Sequence, residues 1–150
     1  MEMKGEETIA APRQKVWEAL NDPDILRQCI PGCQSLEMTS PTDMTAVVKV
    51  KIGPVSASFQ GDVTLENIVA PESYTIAGEG KGGIAGFGKG GADVTLTDLG
   101  ETTLLAYEVK AQVGGKIAQL GSRLIDSSAK KLAGQFFTRF NEVVSAGSAG

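Results

Sequence analysis

Residues 44–65 read Met44-Thr-Ala-Val-Val-Lys-Val-Lys-Ile-Gly-Pro-Val-Ser-Ala-Ser-Phe-Gln-Gly-Asp-Val-Thr-Leu65. Met44, Ala46, Val48, Val50 and Ile52 alternate with Thr45, Val47, Lys49 and Lys51. Beyond Gly53-Pro54, Val55, Ala57, Phe59, Gly61, Val63 and Leu65 alternate with Ser56, Ser58, Gln60, Asp62 and Thr64. A period of two puts one set on a buried face and the other in solvent, and the Gly-Pro break joins the two runs as an antiparallel hairpin.

The same period continues downstream. Tyr74 and Ile76 begin a strand after Ala70-Pro71-Glu72. Ala92, Val94 and Leu96 alternate with Asp93, Thr95 and Thr97, and Leu105, Tyr107, Val109, Ala111 and Val113 with Ala106, Glu108, Lys110 and Gln112. Spacers this short predict an antiparallel meander from about 33 to 113. Upstream, a weak strand pattern covers Met3 to Ala10. Pro12 opens a helix carrying Val16, Trp17 and Leu20. Asp22-Pro23 caps a second short helix with Ile25, Leu26 and Cys29 on its apolar face, ended by Pro31-Gly32.

After Gly114-Gly115 the period changes. Ile117, Leu120, Leu124, Ile125, Leu132, Phe136, Phe140 and Val143 recur every three or four residues, which predicts one helix over 116–145. The 146–150 tail is expected to be flexible, leaving residues 1–145 as a single domain. The order is strand, two short helices, meander, long helix. A sheet with one apolar face must cover it, and the long helix is the only element large enough. The expectation is an α+β fold in which a strongly curved sheet of about seven strands grips that helix.

Composition narrows the chemistry. The chain has 150 residues, 14 Lys and Arg, 18 Asp and Glu, and a net charge of −4, a poor match to nucleic-acid phosphates. It has no His, so Ser-His-Asp triads, Cys-His pairs and His-ligated zinc are excluded, and two Cys cannot form a four-thiolate metal site. No cofactor is expected. The N-terminus lacks a basic-then-apolar secretory pattern and no apolar run spans a bilayer, so a cytoplasmic location and reduced thiols are expected. Residues 116–144 hold five basic against two acidic residues, net +3, leaving −7 for the rest. That stretch is either a solvated helix face or a docking surface for anionic lipid or an acidic partner.

Gly78-Glu-Gly-Lys-Gly-Gly83 and Gly86-Phe-Gly-Lys-Gly-Gly91 both match G-x-G-x-x-G. A dinucleotide fingerprint needs a helix immediately after it, and strand-like sequence follows here. Residues 83–90 place Gly90 where a P-loop has its magnesium-binding Ser or Thr. The better expectation is a glycine-rich hairpin with bulges, in which Gly86, Phe87, Gly88 and Gly90 act as a flap. Cys29-Ile-Pro-Gly-Cys33 has redox-pair residues at the wrong spacing and no basic residue inside the segment to favour a thiolate.

Between sheet and helix, the inward positions Val48, Val50, Phe59, Tyr74, Ile76, Val94, Leu96, Tyr107 and Val109 should face Leu120, Leu124, Ala129, Leu132 and Phe136. Many neighbours are small, among them Ala46, Ala57, Gly61, Ala92, Ala111, Gly121 and Ser128. There are eight aromatics in all. Small residues on both layers either let the layers approach or leave a hollow. Tyr74 and Tyr107 are candidates to orient a ligand there, because a phenol carries one polar tip on an apolar body.

Several segments taken in order resemble one family. Asn21-Asp22-Pro23 followed by Cys29-Ile-Pro-Gly-Cys33 resembles the opening signature of the carbon monoxide dehydrogenase G-subunit family. Lys51-Ile-Gly-Pro-Val55 with Phe59-Gln-Gly61 resembles its central hairpin, Gly78–Gly91 its glycine-rich segment, and Gly114–Ile125 with Phe136-Phe137 its last helix. The resemblance implies a START-like helix-grip fold enclosing an apolar pocket, with a lipid- or quinone-like ligand. It implies a non-enzymatic accessory protein that docks on a molybdenum-containing carbon monoxide dehydrogenase or related hydroxylase and helps place it at the inner face of the membrane. Two other functions compete. One is a small cyclase or hydrolase using the same pocket, which would need a paired acid and base inside it. The other is a structural assembly protein with a filled core.

Overall fold

The computed structural model describes residues 1–149, with side chains described through Ser145; the tail expected at 146–150 lies outside the described side chains. The elements are β1 (Glu2–Ile9), α1 (Arg13–Leu20), α2 (Pro23–Cys29), β2 (Cys33–Met38), β3 (Asp43–Ile52), β4 (Val55–Val69), β5 (Ser73–Lys81), β6 (Phe87–Asp98), β7 (Thr103–Gly114) and α3 (Ser122–Ala149). All seven strands form one antiparallel sheet in the order β1-β7-β6-β5-β4-β3-β2. The meander from β2 to β7 is as the alternation requires, and β1 adds at its far edge.

Register fixes the faces, because directly paired residues share one face of a sheet. Met44 pairs with Val63, Val48 with Phe59, Leu65 with Ile76, Tyr74 with Val94, and Val94 with Tyr107. These residues form the inner face, against which the helices pack. Gly53 makes the β3–β4 turn with φ +56, a left-handed conformation that glycine adopts without a Cβ clash.

The short helices close one end of this face. α1 buries Val16, Ala19 and Leu20, and α2 buries Leu26 and Cys29. The Asp22 carboxylate accepts a hydrogen bond from the Asp24 backbone N–H at 2.9 Å, with Pro23 in the first turn of α2. Thr103 is fully buried and donates to the Ala11 carbonyl at 2.8 Å, tying β7 to the entrance of α1. The far half of α3 is held to β1 by Asn141, whose amide donates to the Thr8 carbonyl at 3.1 Å and accepts from the Ala10 N–H at 2.9 Å. Phe140, fully buried, lies at the centre of this end, stacked on Phe136 at 5.6 Å.

Two expectations need correction. The last helix starts at Ser122, not at 116. Residues Lys116–Leu120 form a 3-10 turn that buries Ile117, and Gly121 at φ +92 breaks the chain before the helix. The apolar spacing Ile117, Leu120, Leu124 runs through Gly121 as if helical, but periodicity is blind to a left-handed residue. The β5–β6 ladder also carries no bulge. Its register is continuous from Ser73–Thr95 to Lys81–Phe87, with a single 3-10 turn (Gly83–Ala85) at its tip. Two of its glycines serve close approach instead. A Cβ at Gly90 would lie 2.1 Å from the Lys110 carbonyl oxygen, and one at Gly91 2.6 Å from that of Ile76.

Candidate functional site

Between the inner face and the helices lies an apolar cavity of about 220 Å3. Its floor is Met44, Val63, Leu65, Ile76, Val94 and Leu105. Its roof is Leu20 from α1, Leu26 and Ile30 from α2 and the turn after it, and Phe136 and Phe137 from α3. Tyr74 stands in the wall. Its ring meets Trp17 edge-to-face at 5.2 Å. Burial pushes the phenol far above its usual range, so it stays neutral and can donate. The other lining side chains are hydrocarbon or thioether, so Tyr74 is the one polar side chain among them.

Of the predicted pocket residues, the structure brings Tyr74, Ile76, Val94 and Phe136 together in this cavity. Val48, Val50, Phe59, Leu96, Tyr107 and Val109 lie on the same inner face, as alternation requires, but do not line it. Leu96 is buried against Leu105 in the closed core. Tyr107 sits one ring behind the wall, stacked on Phe137 at 5.3 Å and lying across Gly5, where a Cβ would come within 2.3 Å of its hydroxyl. Burial, with Glu7 nearby, raises its pKa. On α3, Leu124 packs over Gly53 and Ala129 is half-buried, and neither lines the cavity. Leu132 borders a separate cleft, and Leu120 is off the helix.

Sequence reasoning missed Leu20, Leu26, Ile30, Met44, Val63, Leu65, Leu105 and Phe137 as lining residues. Met44, Val63, Leu65 and Leu105 were legible as inward, since they share the period of the residues singled out. Nothing in a strand's period says which stretch of the face the short helices will cover, and that coverage places the cavity at the Tyr74 end.

Among the flap residues, Gly86 has φ +119, and a Cβ there would lie 2.2 Å from the Gly114 carbonyl oxygen. Phe87 is half-exposed, with its ring over Gly114. Gly88 and Gly90 are paired within the ladder opposite Gly80 and Gly78. The first glycine motif runs from β5 into the three-residue 3-10 turn and the second lies within β6, so neither places a phosphate at an α-helix N-terminus.

Cys29 is buried and Cys33 half-buried, both free, and desolvation raises both thiols above their usual range. Neither has the character of a low-pKa redox thiolate. Among the described residues no three His, Cys, Asp or Glu side chains cluster to hold a metal, and no helix is long and apolar enough to cross a membrane.

Comparison with known proteins agrees with this geometry. The model of the CoxG family, described as the G subunit of carbon monoxide dehydrogenase, matches residues 5–145. A conserved protein from Geobacillus kaustophilus has a crystal structure similar over 97% of this chain and 96% of its own, at 31% identity and a TM-score of 0.91. A START superfamily protein from Mycobacterium smegmatis is similar over 95% of this chain and 98% of its own, at 16% identity and a TM-score of 0.67. The Zhui aromatase/cyclase from a Streptomyces species is similar over 96% and 93%, at 13% identity and a TM-score of 0.67. These last two show the fold alone, which is START-like. No curated protein matches the chain.

Proposed function

The chain belongs to the CoxG family of carbon monoxide dehydrogenase, and from that membership and the cavity we propose a non-enzymatic accessory protein that carries an apolar, lipid- or quinone-like ligand. Its partner is a molybdenum-containing carbon monoxide dehydrogenase or related hydroxylase, which it helps couple or recruit to the cytoplasmic face of the membrane. The observation that carries this reading is the hydrocarbon cavity itself, in whose wall the Tyr74 phenol is the one polar side chain among the described lining residues. A neutral phenol beside hydrocarbon walls can donate a hydrogen bond to a ligand carbonyl. That favours an apolar molecule with an isolated acceptor, such as a quinone, over a plain hydrocarbon.

The cavity is smaller than the roughly 300–1,000 Å3 usual for ligand pockets. It holds a ring or a short length of chain. A longer ligand would continue along the inner face over Gly61, Gly78 and Gly80, where a Cβ on Gly80 would meet nothing within 4 Å. Tyr74 is the titratable group of the walls. One neutral phenol does not make the acid–base pair a cyclase or hydrolase needs, which favours the carrier over the enzyme.

Trp17 reports on occupancy because its ring touches Tyr74. A short-chain ubiquinone should quench Trp17 fluorescence saturably. Tyr74→Phe, isosteric and lacking the donor, should weaken binding by about tenfold, the equivalent of roughly 1.4 kcal/mol for one buried hydrogen bond. Absence of saturable quenching in the wild type, or equal affinity in Tyr74→Phe, would refute a quinone-like ligand at this site.

A further inference from the structure

The charges of the chain are sorted along it. Segments 44–61, 80–92 and 109–125 contain no carboxylate and hold seven cations. These are Lys49 and Lys51 in the first, Lys81 and Lys89 in the second, and Lys110, Lys116 and Arg123 in the third. All seven are exposed, and among the described residues only Lys81 is ion-paired, with Glu79 at 3.8 Å. The rest of the chain holds the other seven cations and all 18 carboxylates.

The three segments meet at one end of the molecule. A Cβ at Gly53, in the β3–β4 turn, would lie 2.7 Å from the Leu124 side chain at the start of α3. One at Gly82 would lie 2.6 Å from the Phe59 ring on β4, and one at Gly115 would lie 2.5 Å from the Gly86 Cα. Register puts the strand lysines of this end on the outer face of the sheet. The carboxylates nearest them in the register are Glu79, held by Lys81, and Asp62 beside it.

The apex of this end is apolar. The Gly82 N–H donates to the Gly86 carbonyl at 2.8 Å and the Gly86 N–H to the Gly83 carbonyl at 3.1 Å, which closes the β5–β6 turn over a buried Ala85. Ile84 projects from it and is 92% exposed, where the other exposed large apolar side chains reach only 45–53%. Phe87, also exposed, pairs with Lys81 and so shares the outer face with Lys81 and Lys89. A lone exposed apolar residue is ordinary. An isoleucine held out by a closed turn, beside an exposed phenylalanine and flanked by lysines, matches the acyl chains and phosphates of a bilayer surface. Protein interfaces are depleted in lysine and enriched in arginine, and six of the seven cations here are lysines.

We propose that the β5–β6 tip docks on an anionic bilayer, with Ile84 and Phe87 entering the lipid and Lys81, Lys89 and Lys116 meeting its phosphates. A chain of net charge −4 is repelled by such a surface in most orientations, and the sorting of charge turns this end toward it. The proposal rests on the carrier reading for the purpose of docking; the docking surface stands on the tip.

The test uses the full chain with vesicles of dioleoyl phosphatidylcholine, alone or with about 30% dioleoyl phosphatidylglycerol. Binding to the anionic vesicles should be at least tenfold tighter, and should weaken between about 50 and 500 mM salt. K81Q/K89Q/K116Q should lose about tenfold or more in affinity, whereas K4Q/R13Q/K15Q, which removes equal charge from β1 and α1, should change it less than twofold. The indole of Ile84→Trp should shift to the blue on anionic vesicles and be quenched by brominated acyl chains. Leu99→Trp, exposed in the β6–β7 turn, should show neither effect. No preference for anionic vesicles, equal losses in the two triple variants, or an Ile84→Trp indole that stays in water overturns the proposal. Should the triple variant at the tip fold poorly, the Ile84→Trp signal in the otherwise intact chain decides alone. Quenching of Trp17 by short-chain ubiquinone, measured without vesicles, keeps the two readings apart. Quenching without vesicle binding refutes this surface and leaves the carrier; docking through Ile84 without quenching supports the surface and refutes the quinone-like ligand.

Discussion

At the Tyr74 end of the inner face, Leu65, Tyr74, Val94 and Leu105 stand under three helices, and Phe140 fills the middle of the stack. At the other end the same strands carry Gly78, Gly80, Gly88 and Gly90 on the same face. The β5–β6 register is unbroken from one end to the other, so the difference is not one of sheet geometry. It lies in what stands on the sheet. Large side chains appear where α1, α2 and the far half of α3 are clamped down by Thr103 and Asn141, and bare backbone appears beyond them. One end is packed with large side chains, and the other leaves open space over the sheet.

The largest effect that would sharpen this contrast is expected at Phe140. It is fully buried and stacked on Phe136, and Phe136 and Phe137 meet edge-to-face at 5.0 Å. Phe140→Ala should cost about 3–5 kcal/mol from lost transfer energy and residual cavity, lowering the melting temperature by about 10 °C at this chain length. A loss under about 1 kcal/mol would mean that the packed end is not the stability centre.

A smaller effect, with a change of sign, is expected among the glycines. Gly86 and Gly80 look alike in sequence. A Cβ at Gly86 would press on the backbone of Gly114 and Gly115 at a φ of +119, whereas one at Gly80 meets open space. Gly86→Ala should therefore destabilise by roughly 1–3 kcal/mol. Gly80→Ala should be neutral or stabilise by up to about 1 kcal/mol, because it restricts the unfolded chain at no steric cost. It should also narrow the inner face and weaken long-chain ligands more than short ones. Matching melting temperatures for the two variants would erase the distinction between glycines that bring backbones together and glycines that leave room.

That distinction marks the limit of what the sequence carries. Alternation at Met44–Leu65 and Leu105–Val113 identified the strands, their antiparallel order and the inward face, and Asp22-Pro23 announced α2 through its cap. These are local, periodic signals tied to backbone geometry. The position of the cavity is not local. It follows from where α1, α2 and Phe136-Phe137 come down on the face, so inward residues at the uncovered end, such as Val48, Val50 and Val109, were indistinguishable in sequence from Val63 and Leu65.

The smallest effect concerns the closed end's outer rim. The Asp43 carboxylate accepts from the Ser40 hydroxyl at 2.7 Å and from the Thr64 hydroxyl at 2.7 Å, linking the β2–β3 turn to β4 beside Met44. Those hydrogen bonds, Ser40 first and Thr64 second, hold its carboxyl below the usual range. The folded chain therefore binds fewer protons here than the unfolded chain, so the contribution is complete above the unfolded value near ~3.9 and is lost as pH falls through the lower folded value. Asp43→Asn removes the titration while keeping one acceptor. At neutral pH the variant should melt slightly below the wild type, and the gap should close as the pH drops from about 5 toward 2. Because the group sits at the surface and exposed pairs contribute little, the gap should be small at any pH. Its closure at low pH is the diagnostic feature. A constant gap would mean that Asp43 acts through shape rather than charge, and the rim of the closed end would then be held by the β2–β3 turn backbone alone.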